Sequence, residues 1–229
     1  AFRVCQNSHN FTAGLAQLMA TKPYRKFYIL CQDYAWGHDV SKAFKEQLKV
    51  YLPDAEIAGA VWTPVRIRMT FGVDPLVENE LGDASIGIHY VYDYTLRVET
   101  PENKDMIERY KAWRKELLGK EDEDIVTNLP AGSIGHTILG WKMVFAAVEK
   151  AGTLDIDKFI ETFEGFWHKT PVGWWAMRKC DHQVVLPMFG GVVQKENPYY
   201  DFPWLGPVVK YPAFESAIPP TSDYNERCP

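Results

Sequence analysis

The chain has 229 residues, with 25 lysines and arginines against 30 aspartates and glutamates, so its formal net charge is −5 at neutral pH. A hydrophobic fraction of 46% and a charged fraction of 24% exclude a disordered or collagen-like chain. No apolar run reaches the roughly 18 residues that suggest a membrane-spanning helix. The lack of such a run argues against direct membrane insertion. The mildly acidic balance, without a long basic run, argues against nucleic acid or an anionic membrane as the main partner. The length allows one large domain or two smaller ones.

The first fifty residues alternate between strand-like and helix-like segments. Apolar runs and helical apolar spacings follow one another at residues 2–5, 10–19, 26–31 and 37–51. This alternation predicts a parallel sheet with helices on its faces, and ligand contacts at the carboxyl ends of its strands. Residues 32–38 form the loop at that position, and they carry Tyr34 and Trp36. This loop is therefore the first candidate for a functional site.

The rest of the chain continues the mixture of strands and helices. Strands are predicted at residues 55–62, 66–71, 86–92 and 184–194, and helices at residues 75–81, 101–118, 137–150 and 155–163. Gly152 follows the third of these helices, where glycine commonly ends a helix. No helix separates the predicted strands at residues 55–62 and 66–71, although parallel neighbours need a crossover of a dozen or more residues. Either these two strands are antiparallel or a segment is absent between them.

The sequence lacks the common catalytic and nucleotide-binding motifs. It contains no Walker loop, G-x-G-x-x-G, G-x-S-x-G or H-E-x-x-H. Asp181 and His182 are adjacent on an extended run, so their side chains point to opposite faces and a structural role is favoured over a catalytic pair. Trp174 and Trp175 are interpreted as core or sheet-edge residues. The pattern favours a binding function without enzymatic activity, cofactor or metal.

Cysteines occur at positions 5, 31, 180 and 228, without a C-x-x-C pair. A disulfide between Cys180 and Cys228 is favoured, because it would anchor the turn-rich C-terminal tail. A second disulfide between Cys5 and Cys31 is a weaker candidate. Four buried thiols in a reducing compartment are the alternative.

A series of short motifs follows in one order along most of the chain. They are Gln32-Asp-Tyr-Ala-Trp-Gly37, Leu81-Gly-Asp-Ala-Ser-Ile-Gly87, Pro101-Glu-Asn-Lys104, Ala147-Val-Glu-Lys-Ala-Gly152 and Thr170-Pro-Val-Gly173. In this order they resemble the periplasmic solute-binding proteins of branched-chain amino acid (Leu/Ile/Val) ABC transporters. The resemblance implies a two-lobed α/β fold of the type I periplasmic-binding-protein class. Parallel sheets flanked by helices would form each lobe, three hinge crossings would join the lobes, and the solute would be held between them.

The resemblance also implies lobe boundaries. The remainder of the first lobe would comprise residues 1–7 and 95–186, and the second lobe residues 8–90 and 187–229. The three crossings would lie near residues 5–7, 90–94 and 186–188. The family's N-terminal part and a central β-α segment, near residues 64–65, are expected to be missing from this sequence.

Carried onto this chain, the resemblance implies a ligand-binding set in and beside the second lobe, made up of Ser8, Tyr34, Trp36, Thr70, Phe71 and Tyr90. Trp36 takes the place of an aromatic residue that covers the ligand. The acidic ligand contacts of amino-acid-binding members fall near Ser8 and near residues 70–71, which are not acidic. An ammonium buried without a carboxylate is costly. An aromatic acid or an amide is therefore as well suited to the site as a branched-chain amino acid.

The function expected from the resemblance is capture of a small organic solute for the membrane permease of an ABC importer. The protein would be periplasmic, with its signal peptide removed. One alternative is a hydrolase with an aromatic-lined cleft, in which Asp33 and a second carboxylate such as Asp74 act as acid and base. Another is a cytoplasmic ligand-sensing regulatory module of the same fold.

Overall fold

The computed structural model describes residues 2–4, 7–63 and 75–212. Within these ranges the helices are α1 (Ser8–Ala20), α2 (Ala35–Tyr51), α3 (Pro75–Leu81), α4 (Pro101–Leu118), α5 (Ser133–Ala151) and α6 (Ile156–Phe163), with a 3₁₀ turn at Gly82–Ser85. The strands are β1 (Lys26–Gln32), β2 (Glu56–Thr63), β3 (His89–Tyr92), β4 (Trp167–Thr170), β5 (Gly173–Met177), β6 (Val184–Val185), β7 (Met188–Gln194) and β8 (Trp204–Tyr211).

Strands β1 and β2 form a parallel pair joined by α2. Their register runs from Lys26 opposite Glu56 to Gln32 opposite Thr63. Helix α2 buries an apolar stripe that includes Val40. The predicted order of strand, helix and strand is therefore confirmed in this part of the chain.

The other two sheets are antiparallel, in the strand orders β3-β7-β8 and β4-β5-β6. Only Pro171 and Val172 separate β4 from β5, and so short a connection permits an antiparallel hairpin alone. The α/β fold class is confirmed. Among the described strands β1 and β2 are the parallel pair, so the structure combines parallel and antiparallel sheets. Strands β4, β5 and β8 were not predicted.

The predicted strand at residues 2–5 is described only at residues 2–4, where the chain forms an isolated bridge. Arg3 pairs in parallel with Gln183, and the Arg3 N–H donates to the carbonyl of His182 over 2.8 Å. The Arg3 carbonyl in turn accepts the N–H of Val184 over 2.9 Å. This bridge ties the first described residues to the edge of the sheet β4-β5-β6.

Asp181 and His182 have separate structural partners. Asp181 accepts a hydrogen bond from Arg178 Nε over 2.9 Å, whereas His182 Nε2 lies 2.9 Å from a carboxylate oxygen of Glu164. The hydrogen bond from His182 is the main cause that lowers the pKa of Glu164. The structure therefore agrees with the structural role expected for both residues.

Strand alternation separates the two neighbouring tryptophans of β5. Trp175 is completely buried, and its neighbour Trp174 is 55% exposed. Trp175 belongs to one continuous apolar core that also receives Leu139 from α5 and Phe189 from β7. The predicted core position is therefore confirmed for Trp175, whereas Trp174 lies on the exposed face of the central strand of β4-β5-β6 and not at a sheet edge.

The cysteine predictions have different outcomes. Cys31 carries a thiol rather than a disulfide, so the Cys5–Cys31 pairing is wrong. Cys31 lies within β1 opposite Trp62, and burial raises the pKa of its thiol. Cys5 and Cys228 lie outside the described residues, so the Cys180–Cys228 disulfide stays a prediction.

Several other predictions also fall outside the described ranges. They concern the strand at residues 66–71, the missing segment near 64–65, and the side chains of Thr70, Phe71 and Asp74. The lobe boundaries and the three crossings stay predictions as well. A search of the described residues for a helix long and apolar enough to span a membrane finds none.

A close approach between α5 and the segment that follows β3 gives a first test of the packing. A Cβ atom added to Gly135 would lie 2.0 Å from Cε1 of the Tyr94 ring, and Tyr94 is almost completely buried. We expect Gly135→Ala to lower the free energy of unfolding by about 1–3 kcal/mol in urea denaturation, because the buried ring cannot move aside without cost. Ser133→Ala, an exposed change in the same helical turn, should stay within about 0.5 kcal/mol of wild type. A Gly135→Ala protein as stable as wild type would contradict this packing.

Candidate functional site

The candidate site lies where the carboxyl ends of β1 and β2 meet. In α/β sheets, ligands commonly bind in the crevice outside this edge. Gln32 and Thr63 end the two strands opposite each other, and α2 begins three residues after Gln32. The predicted loop therefore lies at this edge, which we call the β1–β2 edge.

A carboxylate, an imidazole and an indole are in contact at this edge. His38 Nε2 lies 2.9 Å from Asp33 Oδ1, and the His38 ring stacks on Trp62 with centroids 3.9 Å apart and an interplanar angle of 26°. The Asp33 and His38 side chains are 62% and 51% exposed. Together they present polar groups to solvent beside an aromatic surface. The sequence predicts Asp33 as a carboxylate of the loop, and as an acid or base in the hydrolase alternative, but gives His38 and Trp62 no site role.

Tyr34 and Trp36 lie beside each other at the start of α2. Their ring centroids are 6.3 Å apart, with the Tyr34 ring partly exposed and Trp36 half-buried. A Cβ atom at Gly37 would come within 2.1 Å of the Gln32 carbonyl oxygen. Glycine at this position therefore lets the first turn of α2 fold back against the end of β1, which fixes the two rings at the edge.

Ser8, the first residue of α1, is buried and donates a hydrogen bond from Oγ to Asp39 Oδ2. Asn7 caps the same helix by accepting the N–H of Asn10 over 2.9 Å. The resemblance places an acidic ligand contact near Ser8, and the structure places the carboxylate of Asp39 there, from a different helix. The sequence gives no sign of this contact, because 31 residues separate Asp39 from Ser8.

The other residues of the expected set are placed less closely together. Tyr90 is half-buried in β3, where it pairs with Gly191 of β7. Thr70 and Phe71 lie outside the described residues. Of the expected set, the structure thus brings the rings of Tyr34 and Trp36 together at the start of α2. Ser8, at the start of α1, contacts α2 through Asp39.

A buried charged pair lies in the segment that follows β3. Asp93 is fully buried, and its Oδ2 lies 2.6 Å from Nδ1 of His136, whose side chain is 16% exposed. Burial acts to lower the pKa of His136, but the hydrogen bond and charge of Asp93 outweigh burial, so the pKa is raised. The pair ties the end of β3 to the first turn of α5.

The fold is similar to that of several solved solute-binding proteins. One is a leucine-, isoleucine-, valine-, threonine- and alanine-binding protein from Brucella ovis in its closed conformation. Its TM-score is 0.80 at 17% identity, and the match covers 100% of this chain and 67% of that chain. Another is an ABC-transporter solute-binding protein from Rhodopseudomonas palustris BisB5 in complex with 3,4-dihydroxybenzoic acid. Its TM-score is 0.68 at 18% identity, with 93% of this chain and 67% of that chain covered.

A third similar structure is a branched-chain amino acid ABC-type transporter protein from Rhodopseudomonas palustris CGA009. Its TM-score is 0.65 at 23% identity, with 95% of this chain and 67% of that chain covered. No protein-family model matches the sequence, and no curated protein matches it. The comparisons therefore establish the fold, which is that of the type I periplasmic binding proteins, and this chain spans about two thirds of the length of these structures.

The contact between Asp93 and His136 makes the stability of the protein depend measurably on pH. Because folding raises the pKa of His136, its stabilising contribution is complete below the unfolded pKa of about 6.5 and is lost as pH rises through the folded pKa. We expect the free energy of unfolding of wild type, relative to His136→Gln, to decrease as the pH rises above about 6.5. Urea denaturation of both proteins at each pH measures this difference. A difference independent of pH would show that folding does not shift the titration of His136.

Proposed function

We propose that this chain is the solute-binding part of an extracytoplasmic protein that captures a small organic solute for an ABC importer. The single observation that carries the proposal is the fold similarity. It extends over 100% of this chain with a TM-score of 0.80 to a leucine-, isoleucine-, valine-, threonine- and alanine-binding protein. A periplasmic location and a membrane permease as the partner follow from the same proposal.

The composition of the β1–β2 edge supports a binding role. Tyr34, Trp36 and Trp62 supply aromatic surface, and Asp33 supplies an exposed carboxylate beside them. Aromatic walls with a few placed polar groups are the usual make-up of a small-molecule site. Such a site binds through stacking and hydrogen bonds and needs no catalytic group.

The proposed solute is a branched-chain amino acid or a related amide or aromatic acid. The R. palustris structure contains 3,4-dihydroxybenzoic acid, and the B. ovis protein is named for amino acids, so proteins of this fold accept both classes. Here the carboxylate of Asp39 lies on the Ser8 hydroxyl. This carboxylate offers an ammonium group the compensation that Ser8 alone cannot give.

The proposed mechanism is closure of two lobes around the solute, with Ser8, Tyr34, Trp36, Thr70, Phe71 and Tyr90 as its contacts. A ligand touched by both lobes binds the closed state better than the open state. It therefore shifts the population toward the closed state by its difference in affinity for the two. Release to the permease requires only that this shift be reversed.

The geometry favours binding over hydrolysis. Asp33 hydrogen-bonds to His38 at an exposed position, where its side chain remains 62% accessible to water. Acid and base catalysis by carboxylates needs a pair of them close together. Among the described contacts Asp33 is hydrogen-bonded to His38 and not to another carboxylate. Turnover of an ester, amide or glycoside by the purified protein would overturn the non-enzymatic proposal.

Removal of the indole at the edge tests the proposed binding surface. We expect Trp36→Ala to weaken binding of the preferred solute by more than about tenfold in isothermal titration calorimetry, because stacking area is lost. L-leucine and 4-hydroxybenzoate are the first solutes to titrate. The melting temperature of the free protein should change little, since Trp36 is only half-buried.

Tyr24→Ala is a matched control for that experiment. Tyr24 is 54% exposed and precedes β1, at the opposite end of the same strand. Solute affinity should be the same as in wild type. If Trp36→Ala unfolds the protein, the indole is a core residue, and if both variants bind like wild type, the solute does not bind at this edge.

Replacement of Asp39 separates the two solute classes. We expect Asp39→Asn to weaken binding of L-leucine by at least about tenfold, because a charge-assisted hydrogen bond to the ammonium is lost. Binding of 4-hydroxybenzoate, which has no ammonium, should stay within about threefold. Equal effects on both solutes would show that Asp39 acts only by holding Ser8 and α1 in place.

A further inference from the structure

The imidazole of His38 uses one of its two nitrogens within the protein. Its Nε2 lies 2.9 Å from Asp33 Oδ1, and its ring stacks on Trp62 with the centroids 3.9 Å apart. Nδ1 has no hydrogen-bond partner in the part of the chain that the structure describes, and the side chain is 51% exposed. This nitrogen is therefore available to a group from outside the protein.

Asp33 determines which nitrogen of the neutral His38 ring carries the proton. An ionised carboxylate only accepts hydrogen bonds, so the ring must donate Nε2–H to it. The other nitrogen of a neutral imidazole is then a hydrogen-bond acceptor. The stacking on Trp62 also fixes the plane of the ring, and with it the direction of the Nδ1 lone pair. His38 thus presents a fixed acceptor, and not a donor, at the β1–β2 edge.

The charges around His38 favour an uncharged donor over a carboxylate at this nitrogen. Asp33 precedes α2 and already supplies the negative charge that a helix N-terminus attracts. Asp39 adds a second carboxylate to the first turns of α2, and the exposed Lys42 follows one turn after His38. These three side chains leave a net negative charge, which repels the carboxylate of an acidic solute from His38. The uncharged end of such a solute approaches His38 more favourably.

We propose that His38 is a specificity-determining residue of the β1–β2 edge, and that its Nδ1 accepts a hydrogen bond from a hydroxyl or amide N–H group of the bound solute. This inference rests on the proposed function, since it concerns the solute captured at that edge. The solute class that it selects is an organic acid with such a donor at the end remote from its carboxylate. Asp33 is a positioning residue that acts through His38.

Two solutes of nearly equal size test this acceptor. 4-Hydroxybenzoate carries a hydroxyl donor, and 4-fluorobenzoate has in its place a fluorine that cannot donate. In isothermal titration calorimetry of wild type, we expect the dissociation constant of the hydroxy acid to be lower by about tenfold, because the fluoro acid leaves Nδ1 without a donor. His38→Phe keeps an aromatic ring beside Trp62 but has no nitrogen. In this variant the two dissociation constants should agree within about twofold.

Asp33→Asn distinguishes the positioning role from a structural one. The asparagine amide can donate to Nε2 as well as accept from it, so the proton is no longer confined to that nitrogen. Imidazole ¹⁵N chemical shifts should identify Nδ1 as the unprotonated nitrogen of neutral His38 in wild type. In Asp33→Asn these shifts should move toward the other tautomer, and the preference for 4-hydroxybenzoate should decrease. Asp54→Asn is the matched control, because Asp54 is 65% exposed and pairs with Arg25 at the opposite end of β1 and β2. It should leave both readouts unchanged.

Several results would overturn the proposal. Equal affinities of wild type for the two benzoates, or a preference that persists in His38→Phe, would show that Nδ1 does not meet the donor. A neutral His38 protonated on Nδ1 in wild type would contradict the assigned tautomer. If His38→Phe does not fold, Asp33→Asn and the ¹⁵N shifts decide. Binding of L-leucine but of neither benzoate would reject the solute class and leave the proposed function intact, whereas binding of none of the three would contradict both.

Discussion

The contact between Asp93 and His136 joins the end of β3 to the first turn of α5, and the arrangement of the surrounding elements depends on it. A fully buried carboxylate 2.6 Å from an imidazole is stable only while the pair is intact, since removal of one partner leaves a charge uncompensated in the core. Beside it, the Tyr94 ring packs so closely on Gly135 that a Cβ atom there would lie 2.0 Å from the ring. These two contacts fix where the chain leaves β3 and how α5 begins. The sheet β3-β7-β8 and the helical region after it are thereby held in one orientation.

The β1–β2 edge depends on a similar close approach. Gly37 permits α2 to start against the carbonyl of Gln32, and this start places Tyr34 and Trp36 side by side. The hydrogen bond between Ser8 and Asp39 then brings the start of α1 to the same helix. A surface built in this way has rings and carboxylates at fixed positions. This is the surface that we propose as the contact for a small solute.

The sequence predicts those features that depend on neighbouring residues. Helical apolar spacing locates α1, α2, α4 and α5, and Gly152 ends α5 in the left-handed conformation with φ of 65°. Strands β4 and β5 were missed because their short hairpin lacks an alternating pattern. The stacking of His38 on Trp62 depends on the register of two strands, and the Ser8–Asp39 contact joins residues far apart in sequence. Only the folded chain reveals such contacts.

The central claim is that a solute binds at the β1–β2 edge and leaves unchanged. The eight tryptophan indole N–H signals in a ¹H–¹⁵N NMR spectrum test it most directly. On titration with a bound solute, the account predicts saturable shifts of Trp36 and Trp62 with no shift of the exposed Trp174, and a solute whose own spectrum shows no product. Shifts confined to Trp113 and Trp141, or conversion of the solute, would contradict it.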